Sequence, residues 1–266
     1  MTSAEIGVIG GSGFYAFLDD AEQIAVRTPY GDPSDPVVVG DVTGRRVAFL
    51  PRHGTDHRFP PHRIPYRANL WALRSLGVRQ VLAPCAVGGL RASLPAGSLV
   101  VPDQLVDRTS GRDQTFHDHG AVHVSFADPY CPAGRSVVVE RAGLAGWPVT
   151  DGGTMVVIEG PRFSTRAESR WYAEQGWSVV NMTGHPEAVL ARELALCFTS
   201  IALVTDLDAG VEGGEPVTQQ EVFRVFGANT ARLRTLLYDV VARLPAERTC
   251  PCAGALDGIA QNLVLP

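Results

Sequence analysis

The chain has 266 residues, 45% of them hydrophobic, with 23 basic and 28 acidic side chains and a net charge of −5. That length suits one α/β domain with a substantial core, and charges of both signs dispersed along it give no broad footprint for nucleic acid. No apolar run approaches the roughly 20 residues of a membrane helix, and "MTSAEIGVIGG" has neither the basic region nor the cleavage site of an export signal, so a cytoplasmic protein with small-molecule partners is expected.

"EIGVIGG" reads as a buried strand that delivers Gly10, Gly11, Ser12 and Gly13 to its end. Glycines let the backbone approach a ligand closely, and successive amides with the Ser12 hydroxyl can cradle an oxyanion; a structural tight turn fits the same residues. Gly11-x-Gly13-x-x-Ala16 also fits a loose dinucleotide fingerprint, but no long crossover helix and no acidic residue closing a second strand follow it. A second strand, "RRVAFLPRHG", opens a segment that holds Arg52, His53, His57, Arg58, His62, Arg63 and Arg67. Guanidinium groups grip phosphate with paired hydrogen bonds, so this local cationic patch suits an oxyanion substrate. His53-x-x-x-His57 has the spacing of a zinc motif, yet such a motif needs a helix with Glu after the first His, and "GTD" follows with prolines close by. No metal is expected there.

The helix "YRANLWALRSLG" comes next, then strands over "QVLAPCAVGG" and "GSLVVPDQLV". "FHDHGAVH", with His117, His119 and His123, reads as a loop without metal spacing. The strand "TMVVIEG" leads into "EGPRFSTRAES", which sets Phe163 before the helix "AESRWYAEQG"; its ring could stack on a planar base or plug the core. The strand "WSVVNMT" ends in Asn181, Met182 and Thr183, and the helix "HPEAVLARELALC" begins near His185, so Thr183 could share an anion with the helix's free amides. "TSIALVTDLD" runs apolar through the core and finishes on Asp206 and Asp208. The long helix "TQQEVFRVFGANTARLRTLLYDVVARL" starts its apolar face at Val222, Phe223, Val225 and Phe226.

Alternating strands and amphipathic helices predict a single α/β domain, residues 1–247, with a central, mostly buried mixed sheet flanked by helices. The chain after Leu244 looks loosely held, and the C-terminal tail, 248–266, carries a Cys-x-Cys, Cys250 and Cys252. These read as two tail thiols or as a small redox-sensitive link; Cys85, Cys131 and Cys197 sit in apolar segments as ordinary buried thiols. Because several strands end in polar or glycine-rich segments, and ligands of open α/β sheets bind beyond strand ends, one pocket is expected with an anion cradle, an aromatic slot and a buried acidic end.

Six segments in order, "IGVIGGSGFY", "PRHG", "YRANLWAL", "GTMVVIEGPRFSTRAES", "VVNMTGHPEAVLAREL" and "TDLD", resemble the methylthioadenosine phosphorylase branch of the trimeric purine nucleoside phosphorylases, from about Ile6 to about Leu244. The resemblance implies the phosphorylase/hydrolase-like fold and phosphorolysis of a purine nucleoside to free base and a ribose 1-phosphate, with inorganic phosphate as co-substrate and no cofactor. It places phosphate on Ser12, Arg52, His53, the Cys85 and Ala86 backbone and Thr183. Met182 would pack under the ribose, Phe163 against the base, and Asp206 with Asp208 at the base edge; His123 would reach over from a neighbouring subunit of a homotrimer.

The chemistry explains the acidic end. An N-glycosidic bond breaks through an oxocarbenium-like state, so the departing purine needs a proton or strong hydrogen bond at N7. Burial and a second carboxylate raise a carboxyl from about 3.9 toward neutrality, and Asp206 is the expected acid, assisted by Asp208 as a coupled pair. A protonated carboxyl that donates to N7 and accepts from a 6-amino group selects adenine. The 6-oxopurine branches of the family carry Asn at 206 and Glu at 164, where this chain has Asp206 and Ser164. Two departures bear on affinity: Cys85 stands where the resembled enzymes have Thr, and Gln219 stands where 5′-methylthio enzymes have a small apolar residue. With Val222 and Phe223 beside it, Gln219 predicts a relaxed 5′ specificity that takes adenosine as well as methylthioadenosine. A 6-oxopurine phosphorylase and a non-catalytic nucleotide-binding or redox module are the alternatives.

Overall fold

Apolar runs without alternation bury both faces of a strand, and eleven strands among the described residues build one mixed sheet around such runs. The computed structural model describes residues 3–11, 14, 17–19, 21–120, 122–211, 216–259 and 264–266. In chain order the elements are β1 (Ile6–Gly10), β2 (Glu22–Ile24), β3 (Val37–Val42), β4 (Arg45–Pro51), α1 (Tyr66–Ser75), β5 (Gln80–Gly89), β6 (Leu99–Val101), β7 (Gln104–Arg108) and α2 (Pro132–Leu144). There follow β8 (Val149–Asp151), β9 (Thr154–Ile158), α3 (Arg166–Glu174), β10 (Val179–Asn181), α4 (Gly184–Glu193), β11 (Cys197–Leu207) and α5 (Gln219–Arg243).

β5 is the branch point. Its first residues pair in parallel with β1, its whole length pairs in parallel with β11, and its last two residues pair antiparallel with β10. From β1 the sheet runs through β4 and β3 to β2; from β10 it runs through β9 to β7; and β11 carries β6 and then β8. Successive residues of β1 and β5 serve opposite faces. Ile9, Val81 and Ala83 join the core under α1 and α4, while Ile6, Val8 and Leu82 join the core under α2 and α5.

Local chemistry fixes the helix starts. Thr165 and Glu168 close a reciprocal cap on α3, with Glu168 N donating to Thr165 Oγ1 at 3.2 Å and Thr165 N donating to Glu168 Oε2 at 2.7 Å. Thr218 caps α5 through a 3.2 Å bond from Glu221 N. The apolar face expected to begin at Val222 is divided. Val225, Phe226, Leu233, Leu236, Leu237, Val240 and Val241 face the core, while Val222 and Phe223 face a cavity.

Three expectations are corrected. "GSLVVPDQLV" is two strands, because Pro102 cannot donate to a ladder and Asp103 Oδ1 accepts from Gly153 N at 2.8 Å in the turn between them. The sequence reading left out β2, β3, β8 and α2. Of these, β2 is exposed or half-buried throughout and α2 buries only Gly134, Val138 and Ala142, so neither shows a strong apolar period. The start of the tail is not loosely held: Pro245 O accepts from Gln80 Nε2 at 2.9 Å, Arg248 Nη1 donates to Ala195 O at 2.6 Å, and Cys252 is buried.

Candidate active site

A cavity of about 340 Å³ opens where β1, β4, β5 and β11 end, a size that suits a small organic ligand. Its long wall is β5 from Cys85 to Gly88, three residue steps of strand or about 10 Å. Gly11 lies against the Cys85 end. A side chain there would press on Arg52 Nη1 and Pro84 O, each 3.0 Å from the added carbon, so glycine is what lets the backbone lie on the guanidinium. Gly88 lies at the other end, its missing side chain leaving room for Asp206 Oδ1 at 3.2 Å and the Asp208 Cβ at 3.4 Å.

The acidic end depends on an irregularity in β11. Val204 pairs with Val87, but Asp206 pairs with Gly88, so Thr205 is an extra residue. This bulge shifts Asp206 by one register step against β5, the kind of re-aiming that bulges give beside active sites. Asp208 is 2% exposed and Asp206 half-buried. Burial pushes the Asp206 carboxyl up to about 6, with Thr205 pulling the other way and the charges of Asp208 and Glu221 adding to the rise. Burial also raises Asp208, against the hydroxyls of Ser169 and Ser164. Thr205 Oγ1 lies 2.7 Å from Asp206 Oδ2 and 3.2 Å from Val87 O. Its single proton serves one of the two, and donated to Asp206 Oδ2 it leaves Oδ1 as the oxygen that can carry the carboxyl's own proton. Asp206 Oδ1 and Asp208 Oδ2 are buried without a hydrogen-bond partner among the described residues, so two carboxyl oxygens stand ready for a ligand.

At the opposite end Arg52 is not a free clamp. Its side chain is 1% exposed and forms a two-pronged ion pair with Glu187, Nε to Oε1 at 2.5 Å and Nη2 to Oε2 at 3.0 Å. Nη1 also donates to Pro84 O at 3.2 Å and Nη2 to Ile9 O at 3.3 Å, so among the described residues four of its five N–H groups are engaged. The sequence reading did not identify Glu187, which lies on α4 and meets Arg52 only in the folded chain. His53 is held neutral: burial, chiefly, brings it down to about 3. Its Nδ1 lies 2.8 Å from Phe59 O, a pure acceptor, so the proton sits on Nδ1 and Nε2 presents a lone pair. His57 stacks on His53 at 4.4 Å and 19°, and parallel rings do not aim their in-plane lone pairs at one ion, which disposes of the zinc geometry considered for this pair. His57 lines the cavity too, with its ring edge-on to Phe223.

Thr183 lies at the start of α4 and lines the cavity, but the amides expected to be free there are taken. Thr183 N and Gly184 N both donate to Asn181 Oδ1, at 2.7 and 2.6 Å, while Asn181 Nδ2 donates to Ala86 O at 3.0 Å. What Thr183 offers a ligand is its hydroxyl, and Asn181 stitches β10 to β5 behind it. Cys85 keeps its thiol protonated, pushed up to about 11 by burial, and turns it toward Ser200 Oγ at 3.6 Å. Arg112, also unforeseen, is almost fully buried; it donates to Ile158 O and Glu159 O at the end of β9 and to Met182 O and His185 O after β10, fixing the loops that frame the site.

Of the residues expected at the site, Arg52, His53, Cys85, Ala86 and Thr183 line one part of the cavity, and Phe163, Ser164, Met182, Asp206, Asp208, Gln219, Val222 and Phe223 line the rest. Gln219 is the first residue of α5 and is exposed, so its amide stands at the rim with water available and carries no burial penalty in the free chain. Ser12 lies outside the described residues. His123 is exposed and does not line its own chain's cavity.

Comparisons with known proteins cover nearly the whole chain. The family described as the phosphorylase superfamily matches residues 5–242. A purine nucleoside phosphorylase of Streptomyces coelicolor is 62% identical, covering 99% of this chain and 98% of that one. An S-methyl-5′-thioadenosine phosphorylase of Mycolicibacterium smegmatis is 59% identical, covering 98% and 99%. Among solved structures, a methylthioadenosine phosphorylase from an antarctic soil metagenomic library superposes with a TM-score of 0.90 at 38% identity, covering 97% of this chain and 93% of that one. One from Schistosoma mansoni, in complex with adenine, gives 0.88 at 37%, covering 92% and 93%.

Proposed function

The chain belongs to the phosphorylase superfamily, and from that premise and the site's geometry we propose that it splits 5′-methylthioadenosine with inorganic phosphate into adenine and 5-methylthioribose 1-phosphate. The observation that carries the reading is the buried carboxyl pair with unpartnered oxygens, set about 10 Å along β5 from a guanidinium and a neutral imidazole.

Asp206 carries the proton. It donates through Oδ1 to N7 as the glycosidic bond breaks, while Thr205 supports Oδ2. Asp208 Oδ2 accepts from the 6-amino group. The division differs from a single carboxyl doing both, because Thr205 already occupies one oxygen of Asp206. A 6-oxopurine would set its acceptor against Asp208, so the pair selects 6-aminopurines. Phe163 gives the base an aromatic wall, and Met182 packs beneath the ribose.

Phosphate is anionic already and needs placement rather than a general base. Ser12, Arg52, the Cys85 and Ala86 backbone and the Thr183 hydroxyl hold it below the sugar. His53 acts as an acceptor for the phosphate's own P–OH, since its neutral Nε2 has no proton to give. No cofactor enters this scheme. Gln219 at the rim would pair with a 5′-hydroxyl, extending the substrate range to adenosine. His123 would complete the 5′ end in a neighbouring copy, which makes a homotrimer the working assembly; a cytoplasmic location goes with the substrates.

The test is adenine release from methylthioadenosine, followed with and without phosphate. Release only with phosphate supports the reading; release without it points to a hydrolase, and none at all points to a binding module. The Streptomyces relative is named a purine nucleoside phosphorylase, a wider class that admits a second reading, a 6-oxopurine phosphorylase, which faster hypoxanthine release from inosine would establish instead.

A further inference from the structure

Far from the cavity, four of the five cysteines meet. Cys131 caps the start of α2, Cys197 opens β11, and Cys250 and Cys252 flank Pro251 in the tail beyond α5. Their sulfurs all lie within 4.8 Å of one another. Cys250 Sγ is 3.3 Å from Cys197 Sγ and 3.6 Å from Cys131 Sγ, and no disulfide joins any of them. Cys131, Cys197 and Cys252 are buried, and Cys250 is half-buried. None lines the cavity, so the proposed reaction does not use them.

We propose that these four thiols form a tetrahedral zinc site that clasps the C-terminal tail to the starts of α2 and β11. Zinc–thiolate bonds of about 2.3 Å put the sulfurs of a tetrahedral site roughly 3.8 Å apart, inside the range the cluster already spans. Four sulfur ligands with no carboxylate or imidazole among them suit zinc rather than a hard cation, and burial of three of the four leaves no open position for a water, which makes the site structural. Binding replaces the four thiol protons, released to solvent, with one divalent ion.

The surroundings stabilise the resulting negative charge. Gly134 N donates to Cys131 Sγ at 3.4 Å, and the sulfur stands at the positive end of the thirteen-residue α2. The two chain segments that carry the other ligands are tied together nearby, because Arg248, two residues before Cys250, donates to Ala195 O, two residues before Cys197. Pro251 starts a short 3-10 turn that brings Cys250 and Cys252 to the same cluster. A Cys-x-Cys read as two tail thiols thus becomes half of a ligand set whose other half is supplied by residues 119 and 53 positions away in sequence.

The test uses the full chain, purified under reducing conditions and dialysed against metal-free buffer. Metal analysis should find about one zinc per chain. Replacement with cobalt(II) should produce the thiolate-to-cobalt charge-transfer band and the intense visible bands of a tetrahedral S4 site. Cys250→Ser should weaken or abolish these bands, Cys250→His should restore metal binding with an altered spectrum, and Cys85→Ser should leave the bands as they are. The half-buried Cys250 is chosen so that the variant folds; should it not, the metal content and cobalt spectrum of the parent chain still decide. Disulfides among these four cysteines in the reduced preparation, found by peptide mass, would overturn the proposal. So would four free thiols that take up neither added zinc nor added cobalt.

Discussion

The two ends of β11 treat buried polar atoms in opposite ways. At Cys197 the sulfurs face one another, and the neighbouring backbone is satisfied, with Cys197 N donating to Arg79 O at 2.9 Å. At the far end Asp206 Oδ1 and Asp208 Oδ2 are buried with no hydrogen-bond partner among the described residues. A buried polar atom without a partner costs about 1–3 kcal/mol, so a fold that keeps two on adjacent side chains has left them for a ligand. The contrast separates groups that hold the chain together from groups that act on something else, although one strand carries both.

The sharpest way to break this contrast is to remove the acid. Asp206→Ala should lower kcat/KM for methylthioadenosine by about 10²–10⁴-fold, the span of general acid catalysis, with the fold retained by circular dichroism. Turnover left intact would take the acidic end out of the chemistry.

Next comes the pair that serves structure and site together. Glu187→Gln leaves Arg52 charged and buried without its partner, and breaking a buried pair this way destabilises by about 3–5 kcal/mol. Denaturant melts should show the loss, and the Michaelis constant for phosphate should change far more than that for nucleoside.

The pH response of Asp206 sharpens the comparison further. Its folded-state value of about 6 lies above the ordinary 3.8, so the folded chain binds this proton more tightly than the unfolded one. The penalty is absent below about 4, grows as pH rises, and is complete above about 6, where it amounts to about 1–3 kcal/mol. Asp206→Asn should therefore gain stability over the parent at pH 8 and lose that advantage at pH 4, as read by melting temperature. The parent's kcat/KM should fall as pH rises through about 6, and the variant should lack that limb.

The smallest effect belongs to the rim. Gln219→Val should shift the ratio of kcat/KM for methylthioadenosine over adenosine upward by about 10-fold, the worth of one hydrogen bond. An unchanged ratio would show that the Gln219 amide stays in solvent when substrate binds.

How much of this was legible in one dimension follows from what each residue needs around it. β1, β4, β5, β9 and the body of β11 are recognisable because burial on both faces writes an unbroken apolar run. β2 has no such run, and α2 buries a stripe of small residues that leaves little period to detect. An arginine–histidine pair, an aromatic before a helix and an acidic strand end are local patterns that pointed to Arg52, His53, Phe163, Asp206 and Asp208 in the cavity, while Cys85, Ala86, Ser164 and Gln219 followed only from the family resemblance.

Sequence alone determined the fold class, the order of the long elements and the chemical character of each strand end, because these depend on hydrophobic period and residue type within a few positions of chain. Only the tertiary structure decided that Arg52 is already held by Glu187, that a bulge at Thr205 aims Asp206, and that Cys250 and Cys252 join Cys131 and Cys197. Each of those is a pairing across tens of residues or a register shift between strands, set by how elements pack and carrying no mark in the residues on either side.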